Sequence, residues 1–196
     1  QVTFLRQVEE RAGELLAILD DLLLLARLKE NIGNVKTESV SLSEMLEAAL
    51  AAFKKEIEER KLTVIVERMG PNLISGSKEY LQALWSHLLS NAIRYTPPGG
   101  RITLSLQENP PEKKIIGTVT DTGIGIPSEE IPRIFEEFYR TKEAKSMQET
   151  GTGLGLCIVQ QIVSLYGGTL EIDSTPGLGS SFHFILPQAA TLTGAG

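Results

Sequence analysis

Cysteine occurs once in 196 residues, at Cys157, and histidine only at His87 and His183. A single cysteine excludes an internal disulfide and fits a reducing compartment such as the cytoplasm. Its neighbours in "GLCIV" are apolar, so it reads as a buried structural thiol rather than a reactive one. Positive charge is also in short supply. A net charge of −6 and a pI near 5.1 argue against a general nucleic-acid or anionic-membrane surface, while leaving room for one local cationic patch. No apolar run approaches the ~18–20 residues of a membrane span, and no signal peptide opens the chain. The P-loop pattern "GxxxxGK[ST]" is missing, and so is any internal repeat. The chain opens on Gln1, which sets the expectation that it is a piece of something longer.

What is present suits a packed domain: 41% hydrophobic and 22% charged residues. Residues 1–30 read as one long helix, because Leu5, Val8, Ala12, Leu15, Leu19, Leu22 and Ala26 recur at steps of three and four. Leu16, Ile18, Leu23, Leu24 and Leu25 widen that stripe into the pattern of a bundle helix, which needs partner helices; the plainer reading is a packing helix of the main domain. "NIGN" ends the helix, and "VKTESVSL" reads as a short strand. Ser41 or Ser43 then caps a helix over roughly 42–60. "LTVIVER" is a strand, and a helix follows from about Ser77 to Arg94 until "TPPGG" stops it. "RITLSLQE" and "KKIIGTVTD" form a hairpin, a helix follows Gly153, and "GTLEIDS" with "SSFHFILP" forms a second hairpin. The fold class is α+β, with helices on one face of a mixed, mostly antiparallel sheet. The expected division is a bundle helix over 1–31, a main domain over 36–188 and a loose tail over 189–196.

Two glycine clusters carry the chemistry. In "DTGIGIP" the carboxylate of Asp121 ends a strand and two glycines follow at once, a pattern that lets backbone approach a ligand closely. A carboxylate there can accept from an exocyclic amine, as in reading an adenine; a polar turn capped by Asp121 is the alternative. "GTGLGL" then places Gly151, Gly153 and Gly155 at the N-terminus of an apolar helix, where free N–H groups and the helix dipole favour a phosphate. Its spacing is not that of the dinucleotide fingerprint. Between the clusters, Phe135, Phe138 and Tyr139 can anchor a lid, and Arg140, Lys142 and Lys145 can reach an anion; singly, each cation reads equally as a solvated charge. In "HLLSNAIRYTPPGG", residues 87, 91, 94 and 95 share one helical face. Asn91 offers an oxygen of the type Mg²⁺ accepts, Arg94 can neutralise phosphate, and Tyr95 can pack on a nucleotide.

In this order the segments resemble the ATP-binding catalytic domain of two-component sensor histidine kinases, within the wider group that includes Hsp90, type II topoisomerases and MutL. "LLSNAIRYTP" resembles the N box, "DTGIGIP" and "GTGLGLCIV" the two glycine boxes, "IFEEFYR" the F box, and "AGELLAILDDLLLLARLKE" the second helix of the dimerisation and phosphotransfer domain. The resemblance implies a Bergerat-type fold binding Mg-ATP, with Asp121 at the adenine amine and Asn91 at the magnesium. Arg94, Gly151, Thr152, Gly153, Leu154, Gly155 and Leu156 would lie at the phosphates. Tyr95, Gly123, Gly125, Ile126, Phe138, Arg140 and Lys142 complete the implied nucleotide set, and Asn91, His87 and Arg94 the catalytic one. Implied partners are a response-regulator receiver domain and a second copy of the full-length protein joined through the bundle, with no nucleic acid.

This sequence departs from the family in three places. The phosphoacceptor histidine of the family falls upstream of residue 1, and neither His87 nor His183 sits in such a motif. His87 stands where the N box usually has a second asparagine, so it is expected at the pocket, near metal-bound water or as packing at the rim, rather than as a metal ligand. Thr150 replaces a common glycine. Two rivals stay open: another ATPase or anti-sigma-type serine kinase of the wider group, and a degenerate module that holds nucleotide and signals by conformation.

Overall fold

Alternation of buried and exposed residues along Lys114–Asp121 and Gly179–Pro187 places one face of each strand in a core and the other towards solvent. The computed structural model describes residues 2–30, 38–67, 70, 72–147 and 151–188, and side chains in the first helix from Arg11 onward except Glu14. The expected "NIGN" turn, the start of "VKTESVSL", Thr150 and the 189–196 tail lie outside the described residues.

The helices are α1 (Val2–Glu30), α2 (Leu42–Glu59), α3 (Lys78–Tyr95), α4 (Lys142–Met147) and α5 (Gly155–Leu165). The strands are β1 (Glu38–Ser41), β2 (Thr63–Glu67), β3 (Leu73–Gly76), β4 (Arg101–Asn109), β5 (Lys114–Asp121), β6 (Thr169–Thr175) and β7 (Gly179–Pro187). β1 and β3 form a small antiparallel pair, and the main sheet runs β2-β4-β5-β7-β6. Only β2 and β4 pair in parallel, because the chain leaves β2 and returns through α3 rather than through a tight turn. Both expected hairpins are present, as β4–β5 and β6–β7. β3 was not separated from its linker by sequence, and α4 falls in a segment expected to be an irregular lid.

Local signals set the helix ends. Ser41 caps α2 by accepting from Glu44 N at 3.3 Å, whereas Ser43 donates to the Gly70 carbonyl at 2.6 Å. Ser77 caps α3, and such caps contribute about 1 kcal/mol each. Thr96 ends α3 by donating to the Ala92 carbonyl at 2.6 Å, one residue ahead of Pro97.

The core lies between α2, α3 and α5 and one face of the main sheet, with Leu81, Leu84, Leu88, Ile102, Leu104, Ile158 and Ile162 fully or almost fully buried. At its centre Trp85 and Phe184 meet edge to face, with ring centroids 5.0 Å apart. Phe184 lies over Gly117, its Cα partner on the neighbouring strand, so closely that a Cβ on Gly117 would come within 2.0 Å of the Phe184 ring. Leu25 and Leu28 near the end of α1 join this core, while Leu15, Leu16, Leu19, Leu22 and Leu23 remain exposed. The stripe is thus divided: one end packs on the main domain, and the rest leaves its leucines exposed.

Gly117→Ala should cost about 1–3 kcal/mol, because Phe184 has no room to withdraw beneath Trp85. Thermal unfolding should show a lowered midpoint, partly restored when Phe184→Leu is added. A purely additive double variant would mean that the two residues do not share this space.

Candidate functional site

The carboxyl end of β5 delivers Asp121 to the wall of a cavity of about 570 Å³ bounded by α3, the 121–126 loop, the 134–144 segment, the start of α5 and α1. Asp121 is 7% exposed, and its Oδ1 accepts from Gly123 N at 2.7 Å and from Ser180 N at 3.3 Å. Burial dominates over these hydrogen bonds and pushes the carboxyl up to about 6. A carboxylate placed at such cost, facing a cavity, marks a binding position rather than a stabilising one.

The loop after Asp121 is fixed on both sides. Ile124 N donates to the Tyr95 carbonyl at 3.2 Å, tying the loop to the end of α3. Ile126 N donates to Ser174 Oγ at 2.8 Å and Gly177 N to the Ile124 carbonyl at 2.7 Å, tying it to the β6–β7 turn. Gly125 is required here: its φ is +67°, and a Cβ would meet the Thr175 carbonyl oxygen at 2.0 Å. Arg60, at the end of α2, donates to the carbonyls of Arg94 (3.3 Å) and Thr96 (2.8 Å) and so holds the C-terminal turn of α3, which carries the site residues.

Opposite this platform, α5 begins at Gly155 with Leu154 in the capping position and no side-chain cap, so its first N–H groups keep their capacity for an acceptor. Thr152 Oγ1 accepts from Leu154 N at 3.0 Å. The backbone at Gly151 runs between two guanidinium groups: a Cβ there would lie 3.0 Å from Arg94 Nη1 and 3.3 Å from Arg140 Cζ. The result is a cationic corner beside an open helix N-terminus.

Of the nucleotide and catalytic residues that the resemblance implies, His87, Asn91, Arg94, Tyr95, Asp121, Gly125, Ile126, Arg140, Gly151, Thr152, Gly153, Gly155 and Leu156 line this cavity, as does Tyr139. Four do not. Gly123 sits behind Asp121 as a hydrogen-bond donor, Leu154 is fully buried in the core, and Phe138 is 58% exposed. Lys142 opens α4 facing solvent, as does Lys145. His87 lines the cavity but is largely enclosed: its Nε2 lies 3.6 Å from Asp21 Oδ1, and its ring packs against Gly155. Burial lowers its pKa, so it is neutral near pH 7. His183 lies on β7, with Nδ1 3.0 Å from Thr118 Oγ1, away from the cavity. Cys157 is buried, and burial raises its thiol pKa.

Sequence reasoning missed the apolar lining from Ile124, Ile134 and Phe182, the donor Ser180, and Asp21 on α1. Ser180 meets Asp121 through the pairing of β5 with β7, strands that no hairpin joins, so local sequence shows no sign of it. Asp21 carried no local signal.

The strain at Asp121 is measurable without any ligand. Its folded pKa lies above the ordinary carboxylate value, so the folded state binds the proton more tightly. Its contribution to stability is full at low pH and is lost as pH rises from about 4 through about 6. Asp121→Asn removes that loss. The stability advantage of the variant, from urea unfolding, should therefore grow by up to about 3 kcal/mol between about pH 4 and pH 7. A difference independent of pH would show that the carboxyl is not strained.

Comparison with known proteins agrees with this arrangement. The family described as Histidine kinase-, DNA gyrase B-, and HSP90-like ATPase matches residues 76–190. The phosphate regulon sensor protein PhoR of Pseudomonas aeruginosa is 34% identical over 194 residues, which are 95% of this chain and 42% of that protein. The mycobacterial sensor histidine kinase MprB is 29% identical, with a TM-score of 0.65 over 80% of this chain and all of that one. Full-length ShkA, solved in complex with AMPPNP, shares the fold at 23% identity and a TM-score of 0.79, over 97% of this chain and 39% of its own. The chain spans less than half the length of the curated relatives it matches. It belongs to the histidine kinase-, DNA gyrase B- and HSP90-like ATPases, and within them to the catalytic domains of sensor histidine kinases.

Proposed function

We propose that this chain is the ATP-binding catalytic core of a sensor histidine kinase, which binds Mg-ATP and, in the full-length dimer, transfers the γ-phosphoryl group to a histidine. A response-regulator receiver domain then takes the group onto an aspartate. The observation that carries this reading is the buried Asp121 carboxylate set across one cavity from the uncapped start of α5 and the Arg94–Arg140 pair.

The exocyclic amine of adenine donates to Asp121, whose Oδ1 is already fixed by Gly123 and Ser180, and the purine lies between apolar side chains such as Ile124, Ile126 and Phe182. The phosphates run to the N–H groups at Gly153–Leu156 and to Arg94 and Arg140. Magnesium fits the polar side of the cavity in one respect: Asn91 offers an amide oxygen, and phosphate oxygens and water would complete an all-oxygen shell. Bound there it would neutralise phosphate charge. The transfer itself breaks the bond from the γ-phosphorus to its bridging oxygen, releasing ADP, and forms a bond to an imidazole nitrogen of the acceptor. The part of this chain is positioning and charge stabilisation. His87 and His183 are poor acceptors, one enclosed by Asp21 and Gly155 and the other on the sheet, so the acceptor is assigned to residues outside this chain.

Calorimetry with Mg-ATP should show binding by the 196-residue chain, weakened about ten-fold or more by Asp121→Asn, since a hydrogen bond to a charged group contributes roughly 1.5–3 kcal/mol. Affinity should also fall as the pH drops through about 6, where Asp121 takes up its proton, and the variant should lack that fall. Equal affinities at all pH values would remove Asp121 from the adenine. Incubated with Mg-ATP, the chain should gain no acid-labile phosphate on His87 or His183. Label at either position would overturn the assignment of the acceptor.

A further inference from the structure

Among the described residues, Asp21 is the one acidic side chain that α1 contributes to the nucleotide cavity, where Arg11, Ala17 and Ile18 also form part of the wall. Its carboxylate is about four-fifths buried, and Oδ2 accepts from the Thr152 hydroxyl at 3.3 Å. Oδ1 lies 3.6 Å from His87 Nε2; burial raises the carboxyl's pKa above the ordinary value, opposed in part by His87, the Thr152 hydrogen bond and Arg94. Arg94 belongs to the cationic corner beside the start of α5, and Thr152 and His87 adjoin it. An anion from the bundle helix therefore occupies the donors that the end of a polyphosphate needs. The docking is reinforced elsewhere along α1, by Leu25 and Leu28 in the core and by exposed ion pairs of Arg27 with Glu79 and Lys29 with Glu137.

The geometry points to Asp21 as a built-in competitor of the terminal phosphate, so that α1 docking and ATP binding oppose one another while ADP, one phosphate shorter, leaves the contact in place. This rests on the nucleotide reading above. Asp21 is then a specificity-determining residue supplied by a helix outside the sheet-and-helix core. It sets how strongly the site prefers ADP over ATP whenever α1 is docked. Two like charges cannot share the corner. Either the γ-phosphate is held off or Asp21 leaves, and its departure removes the contacts of α1 with Thr152 and His87.

The test compares Mg-ATP and Mg-ADP affinities by calorimetry for the parent chain, Asp21→Asn and Asp21→Glu. Asp21→Asn keeps a hydrogen-bonding group for Thr152 and removes only the charge. It should tighten ATP roughly five- to fifty-fold, the usual range of coupling between two sites, and change ADP by less than about two-fold. Asp21→Glu should stay close to the parent. Hydrogen exchange along residues 11–28 of the parent should rise with ATP and not with ADP. Unchanged or weaker ATP binding by Asp21→Asn, or equal tightening of ATP and ADP, would overturn the competition while leaving the nucleotide site standing. Failure of both the parent and Asp21→Asn to bind either nucleotide would overturn the site itself, and the competition with it.

Discussion

A dehydrated carboxylate governs the arrangement of this domain. Asp121 is buried at the point where β5 leaves the sheet, and two backbone N–H groups are spent on one of its oxygens. Those donors come from different segments, the loop at Gly123 and strand β7 at Ser180. The carboxylate therefore joins the sheet to the loop that follows it. The loop is joined in turn to the end of α3 through Tyr95 and to the β6–β7 turn through Ser174 and Gly177. Each of these bonds contributes only about 1 kcal/mol. Together they fix the carboxylate to a frame, which is what a recognition group needs and a mobile polar turn lacks.

The opposite wall is built on different terms. There the backbone approaches the cavity because glycine leaves room for it, and the charges come from long arginine side chains rather than buried carboxylates. Arg140 is steadied by donating to the Ala144 carbonyl at 3.0 Å, and Gly153 by accepting from Phe138 N at 3.1 Å. One wall is rigid and selective, while the other is cationic and adjustable. Under the proposed nucleotide reading, the first wall would meet the base and the second the phosphates.

The glycine clusters and Asp121 were legible because their chemistry is local: a carboxylate ahead of close-approach glycines is visible in seven residues. The caps at Ser41 and Ser77 and both hairpins were legible for the same reason, each depending on neighbours in sequence. β3 was lost because its four residues, "LISG", show too little alternation in sequence, and its partner β1 lies more than thirty residues away. α4 has six residues and one buried side chain, Ala144, too few for a helical period to emerge. His87 was placed at the pocket correctly, but its neighbour was not foreseeable. In the heptad of α1, Asp21 reads only as a polar position between Leu19 and Leu22, and its role arises from how the helix docks.

The divided surface of α1 has a mechanical meaning. Its exposed leucines lie at positions 15 to 23, and its buried ones at 25 and 28, so one rigid rod is gripped near its end by the rest of the domain. A rod held this way transmits torque. Backbone atoms of a helix lie about 2.3 Å from its axis, and an aspartate side chain extends that arm to roughly 5–6 Å. A turn of only about 25° in the bundle would sweep the Asp21 carboxylate by ~2–3 Å, enough to break a hydrogen bond at the limit of reach. A small rotation of α1 would thus add or remove a negative charge at the part of the cavity wall formed by Thr152 and His87.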